Sequence, residues 1–234
     1  VPDSIQLQVQ PHVPMQSGMP SGVLPVHRWR HSAVVAELGR EIVILYGGRD
    51  AQTVFSEVWA FDTCRREWEL IEPEGLELPA ARHSHAAVVW AGAPVPSDSR
   101  EWSPVMLVTG GLDAHEEALD DAFMLECRQC KLVDNNVLMW RWRKLDMSGK
   151  LLARFGHTAH LCRGLAILVG GVSPAVPGAE APVEWWSISE DAGLERAVLK
   201  VEAGSNASDG ELTLTHNHCS ILVGDCILQL GGGG

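Results

Sequence analysis

Arg28-Trp29-Arg30-His31-Ser32-Ala33-Val34-Val35, followed at a short distance by Ile42-Val43-Ile44-Leu45-Tyr46-Gly47-Gly48, decides the fold. The first run reads as a short half-apolar strand, the charged stretch 37–41 as a turn, and the second run as a buried strand ending in a double glycine. After a polar loop, Glu57-Val58-Trp59-Ala60-Phe61-Asp62 alternates with period two, and Trp68-Glu69-Leu70 closes the unit. Four short strands in this order describe one antiparallel sheet.

The order returns downstream. Arg82 and His85-Ala86-Ala87 repeat the spacing of Arg28 and His31-Ser32-Ala33, as do Arg154 and His157-Thr158-Ala159; a fourth copy keeps His218-Cys219-Ser220 but has Thr215 in place of the arginine. Each copy is followed by an apolar run and a glycine pair. The first glycines lie at 47, 110, 170 and 231, a step of about 60 residues against the ~50 of a Kelch blade. A lone four-stranded sheet has two apolar faces, and stacking copies radially covers both. The glycine pair lets the backbone leave the second strand at positive φ where a Cβ would meet a neighbour, and the closing tryptophan is expected to fill the gap between units.

The expected fold is therefore all-β, a Kelch-type β-propeller with three blades (28–72, 79–147, 151–203) and part of a fourth (213–234). Residues 1–24 are read as a linker or the end of a preceding element, and 25–234 as the propeller segment. Insertions are expected at 91–102, 129–137 and 173–182, a weak fourth strand at 197–201, and a polar loop at 204–210. A propeller closes with ~4–8 blades, so the sequence predicts an incomplete ring and a fragment of a longer protein.

Composition narrows the function. Eighteen Lys and Arg against 30 Asp and Glu give a net charge of −12, which argues against a nucleic-acid backbone as the main partner of this segment. No apolar run approaches the ~18 residues of a membrane span, and the start shows no signal-peptide pattern. Six cysteines at irregular spacing read as reduced, packed thiols in an intracellular, cytoplasmic protein. Cys127-Arg128-Gln129-Cys130 is a lone C-x-x-C without a second pair, so no metal is expected. Asn206-Ala207-Ser208 is a glycosylation site only in a secreted chain.

The repeated histidines, His31, His85, His157 and His218, are expected to bond backbone groups at the turns between blades. The arginines Arg28, Arg82 and Arg154 carry two readings. They line the central channel and form an anion-binding funnel for substrate, or they make inter-blade salt bridges to acids such as Asp62 or Glu126. Trp140-Arg141-Trp142-Arg143-Lys144 mixes aromatic and basic residues and could stack on a nucleotide; at strand periodicity the tryptophans pack on one face and the arginines occupy the other. There is no phosphate loop, no G-x-G-x-x-G after a strand and no nucleophile elbow, so no catalytic residue is assigned.

These openings, with the terminal Leu228-Gln229-Leu230-Gly231-Gly232-Gly233-Gly234, resemble the Kelch region of the leucine carboxyl methyltransferase-like, tRNA wybutosine-synthesising methyltransferase family. The resemblance implies an S-adenosylmethionine-dependent methyltransferase domain ahead of the propeller. It also implies carboxyl methylation and methoxycarbonylation of the hypermodified guanosine beside the anticodon of phenylalanine tRNA. No S-adenosylmethionine motif of that family can be placed here, so the cofactor belongs to the full-length protein and not to this segment. The tRNA would be the partner of that protein, with the propeller aiding its binding. The competing class is a Kelch interaction adaptor, such as a ubiquitin-ligase substrate receptor or a chromatin or vesicle scaffold, that contacts a protein through loops 113–117 and 173–182.

Overall fold

The computed structural model describes residues 24–90, 101–131, 136–147, 151–176, 183–188, 193–196, 216–224 and 226–233, and no helix occurs among them. The chain is all-β. Sheet I is formed by β1 (Ser32–Glu37), β2 (Glu41–Tyr46), β3 (Val58–Asp62) and β4 (Glu67–Ile71), paired antiparallel in chain order. Sheet II repeats the order with β5 (Ala86–Val89), β6 (Ser103–Thr109), β7 (Ala122–Lys131) and β8 (Asn136–Lys144). A short β9 (Asp146–Met147) then crosses to sheet III, where β10 (Thr158–Cys162), β11 (Leu165–Val169), β12 (Glu184–Ile188) and β13 (Gly193–Arg196) follow one another. β14 (Cys219–Val223) and β15 (Cys226–Leu230) pair as sheet IV.

The first strands of successive sheets are neighbours, β1 beside β5, β5 beside β10 and β10 beside β14. Alternation along each strand then sends one set of side chains forward to the next sheet and the other set back. Ile42, Ile44 and Tyr46 of sheet I meet Met106, Val108, Phe123, Leu125, Trp140 and Trp142 of sheet II in one cluster. Leu107 and Met124, on the opposite face of sheet II, meet Ala166, Leu168 and Trp186 of sheet III in the second. Sheet II is thus buried on both faces at β6 and the start of β7, which is why 105–108 and 122–125 read as continuous apolar runs. Fully burying side chains of this size contributes ~1.5–3 kcal/mol each, so the two clusters dominate the packing energy.

Local features depart from the sequence reading. β1 starts at Ser32, not Arg28, because Arg30 sits at φ 57°, outside the range of an extended strand. Within the expected insertion at 129–137, of which 132–135 lie outside the described residues, pairing runs on through Gln129↔Leu138, Cys130↔Val137 and Lys131↔Asn136 and lengthens β7 and β8. The fourth strand of sheet III is β13, upstream of the expected 197–201, which lies outside the described residues, as do 1–23, 91–100, 177–182, the 204–210 loop and Asn206. Of the closing tryptophans, Trp140 and Trp142 fill the space between sheets, with Trp142 edge-on to Tyr46 at 5.1 Å. Trp68 instead packs on Phe61 at 5.1 Å on the rear face of sheet I.

The sheets also overlap at their outer rims. Glu74, eight residues before Arg82, bridges β8 in parallel fashion, donating to the Trp140 carbonyl (3.0 Å) and accepting from the Trp142 amide (2.7 Å). Asp146, eight residues before Arg154, is the start of β9, which runs parallel to β13. The chain leaving each of these two sheets therefore lies along the outer strand of the next one. Asp146 and Met147, read from sequence as the end of the second unit, belong to the edge of sheet III.

Candidate functional site: the arginine–histidine junction

The repeat residues converge where the second strands end. Arg28 donates to Glu57 (2.7 Å) and to the Gly47 carbonyl (3.2 Å). Arg82 donates through two nitrogens to Asp121 (2.6 and 3.0 Å) and to the Gly110 carbonyl (3.0 Å). Arg154 donates to Glu184 (2.5 Å) and to the Gly170 carbonyl (3.1 Å). Each guanidinium so ties its own glycine turn to the acid that opens its own third strand, a charge-assisted contact of the strong class.

The arginine side chains are 2 %, 0 % and 0 % exposed in these pairs, so their guanidinium surface is committed to the protein, not presented to a ligand. The arginines do form ion pairs, but within one unit and not between units as expected, and with other acids than Asp62 or Glu126. Asp62 pairs with Arg40 (2.7 Å) and accepts from the Cys64 and Arg65 amides at the β3–β4 turn, while Glu126 takes Arg141 (2.6 Å) and Arg143 (2.8 Å). The signal that sequence reading missed is local: Glu57, Asp121 and Glu184 stand directly before, or at the first residue of, their third strands.

The histidines join one sheet to the sheet before it. His85 Nε2 lies 2.7 Å from Ser32 Oγ, His157 Nε2 lies 2.9 Å from Thr109 Oγ1, and His218 Nε2 lies 3.0 Å from Thr158 Oγ1. His31 has the expected backbone partner, at Arg28; for the other three the partner is a hydroxyl, and these hydroxyls occupy two different places. Ser32 and Thr158 follow a repeat histidine, whereas Thr109 precedes a glycine pair. The two places face each other across the first strand pair (Ser32↔Tyr46, Ala86↔Thr109, Thr158↔Val169), so either strand can supply the hydroxyl.

Two further backbone links complete the junction. The Gly48 and Gly111 amides donate to the carbonyls of Arg82 and Arg154 in the following sheet, both at 2.9 Å. The residues just before the histidines, Arg30, Ser84, Gly156 and Asn217, all have positive φ, and each amide after the first donates to the carbonyl of the one before (2.9, 2.8 and 2.8 Å). A hydrogen-bonded line of backbone therefore runs through all four sheets. The glycine pairs fall at equivalent places in each sheet, and the residue beyond each pair bridges back to the residue two before the histidine, from Trp29↔Arg49 to His216↔Gly233.

Burial holds the His85 imidazole down to about 3, with Arg82, His31 and His83 adding repulsion, and holds His157 well below its ordinary value beside Arg154. Both rings stay neutral when folded and titrate near 6.5 when the chain unfolds. Stability is complete above that value and is lost as the pH falls below it, since the unfolded chain alone takes up protons. Each ring contributes a loss of ~1.4 kcal/mol per pH unit. Urea midpoints measured between about pH 7 and about pH 5 are expected to fall before the carboxylates titrate, and His85→Gln is expected to flatten that slope. A slope unchanged by the substitution would remove His85 from the account.

Elsewhere the basic motif resolves into structure. Trp140 and Trp142 are buried, so neither offers a stacking surface; Arg141 and Arg143 share Glu126, and Arg128 and Arg141 each lie 4.5 Å from the Trp102 ring. Among the described residues no group of three or more His, Cys, Asp or Glu is placed to hold a metal, and no helix is long and apolar enough to cross a membrane. Cys127 is buried, which pushes its thiol up to about 12. Two grooves, of about 470 and 650 Å³, lie at the outer strands, flanked by Trp68 and Trp140 in one case and by Leu76 and Arg143 in the other. The junction has the chemistry of a connector.

No family model matches the chain. Over 200 residues, 83 % of its length, it is 30 % identical to tRNA wybutosine-synthesizing protein 4 of Homo sapiens, and it spans 25 % of that protein. It is 25 % identical over 216 residues, 87 % of its length, to the serine/threonine-protein phosphatase BSL2 of Arabidopsis thaliana, of which it spans 19 %. Among solved structures, a chain from the cryo-EM structure of RAG in complex with one melted and one unmelted RSS superposes with a TM-score of 0.52 at 19 % identity. That match covers 86 % of this chain and 58 % of the other, and it is a likeness of fold alone.

Proposed function

We propose that the chain serves as the Kelch-type β-propeller part of a tRNA wybutosine-synthesising protein, with each sheet acting as a blade. In this reading an S-adenosylmethionine-dependent methyltransferase domain elsewhere in the longer protein carries out the carboxyl methylation and methoxycarbonylation of the hypermodified guanosine of phenylalanine tRNA. The propeller aids binding of that tRNA, in the cytoplasm. The observation that carries the reading is the 200-residue stretch shared with the human protein of that name. No residue of this chain is assigned to the cofactor or to catalysis. Arg28, Arg82 and Arg154 would serve the substrate indirectly, by fixing the glycine turns and the loops between second and third strands. A net charge of −12 fits a local contact better than a broad polyanion surface.

The test is a segment exchange. The matching stretch of the human protein is replaced by this chain and supplied to cells lacking that protein, and nucleosides of phenylalanine tRNA are measured by mass spectrometry. Recovery of the fully modified guanosine is expected. A stable, expressed chimera that leaves only the unmethylated precursor would defeat the proposal. A second reading, a protein-interaction adaptor, is favoured by the similarity to a phosphatase over 87 % of the chain. It predicts that the isolated chain captures a protein partner through loop 113–117 and that exchange into the human protein restores nothing.

A further inference from the structure

At two junctions between sheets the same pair of positions is apolar. Val34 and Ala87 pack on the cluster between sheets I and II, and Val88 and Ala159 on the cluster between sheets II and III. Between sheets III and IV those positions hold His160 and Ser220, with His160 Nε2 2.7 Å from the Ser220 hydroxyl. The contact continues from Ser220 Oγ to Thr158 Oγ1 (2.5 Å) and from there to His218 Nε2 (3.0 Å). Three hydrogen bonds link four side chains that hold only two hydroxyl protons, so at least one ring donates from Nε2. Protonation of the other ring changes the pattern of the whole line.

We propose that the His160–Ser220 contact is a proton-sensitive latch, which holds sheet IV against sheet III while the imidazole is neutral and releases it when the imidazole is charged. His160 is 8 % exposed, and the described strands packed around it bring no carboxylate to compensate a charge. β11, opposite it, carries no ionisable side chain, and neither does β5, with His85 ahead of that strand. β14 brings Cys219, with His218 before it; β10 itself has Cys162, followed by Arg163. No carboxylate stands on any of these strands.

Burial, and then His218, hold the His160 imidazole below its ordinary value of 6.5. Little apolar packing opposes release. Neither buried cluster contains a residue of sheet IV, and on its face toward sheet III, which it shares with Ser220, the apolar Leu222 and Ile227 are only half-buried. Opening returns the ring to water, so below 6.5 each pH unit shifts the latch toward its open state by up to about tenfold, until the closed-state value is reached.

Hydrogen exchange of the full chain, corrected for the intrinsic pH dependence of exchange, reads this locally. Between about pH 7.5 and about pH 5 the amides of β14 and β15 are expected to lose protection by about tenfold or more through local opening, while those of β2 and β6 follow only the global loss expected from His85 and His157. The double variant His160→Val with Ser220→Ala restores the pair found at the other junctions, and its sheet IV is expected to lose no more protection between the two values than β2 and β6 do. His160→Gln, which reaches the hydroxyl without titrating, is the second variant should the first disturb folding. A loss in wild-type sheet IV no greater than that of β2 and β6 overturns the proposal, as does a greater loss that survives in both variants.

Discussion

Arg154→Met lowers the unfolding free energy of the chain by about 3–5 kcal/mol, the usual cost of removing one partner from a buried ion pair. The side chains of Arg154 and Glu184 are 0 % and 3 % exposed and meet at 2.5 Å, so the substitution strands a carboxylate away from water. The Gly170 carbonyl loses its donor at the same time. Arg28→Met is expected to cost less, because Glu57 is 37 % exposed and regains water. Adding Glu184→Met to Arg154→Met removes the stranded charge and is expected to recover much of the loss. Urea titrations of the three variants give the comparison. A loss under about 1 kcal/mol for Arg154→Met would mean the pair contributes as little as a surface contact.

Gly110→Ala is expected to be nearly as damaging. A Cβ on Gly110 would stand 2.5 Å from the Arg154 carbonyl oxygen and 3.0 Å from His157 Cε1, both on the following sheet. Neither obstacle is the far end of a flexible chain: one is backbone, the other a ring fixed by Thr109. Overpacking of a well-filled interior costs ~1–3 kcal/mol, to which the φ of 57° adds ~1 kcal/mol for a residue with a Cβ. Gly39→Ala separates the two effects, since Gly39 has φ 75° but nothing within 4 Å of its Cβ position. It is expected to cost about 1 kcal/mol and leave the fold intact. Thermal unfolding of both variants decides the matter, and equal losses would show that the φ, not the approach of the next sheet, sets the requirement.

The strand order was legible because alternation and the glycine pairs are one-dimensional signals. Ile42 to Tyr46 and Val105 to Val108 could hardly be read as anything but buried strands. The junction was half legible. Arg28, Arg82 and Arg154 announced themselves by spacing, but their acids follow the glycine pairs at unequal distances, since the loops between second and third strands differ in length. The histidine partners were harder still. Ser32, Thr109 and Thr158 do not share a repeat position; they share a cross-strand pair, and that relation exists only once β1 and β2, or their counterparts, are paired. The extent of β7 and β8 escaped because Gln129 and Lys131, and Asn136 opposite, are polar residues poor in strand propensity. His160 and Ser220 lie far apart in sequence and carry no signal of their contact, which exists only across a junction.

The overlap at the rims bears on how the molecule resists tension. Glu74 lies alongside β8 and Asp146 alongside β13, each parallel to the strand it covers. A pull on the connecting chain therefore loads those contacts lengthwise, and the bonds at Trp140 and Trp142 must yield together, not one at a time like a zip. Sheets joined in this manner behave under load as lapped plates, with the strength of the seam set by the overlap and not by the thread that connects them.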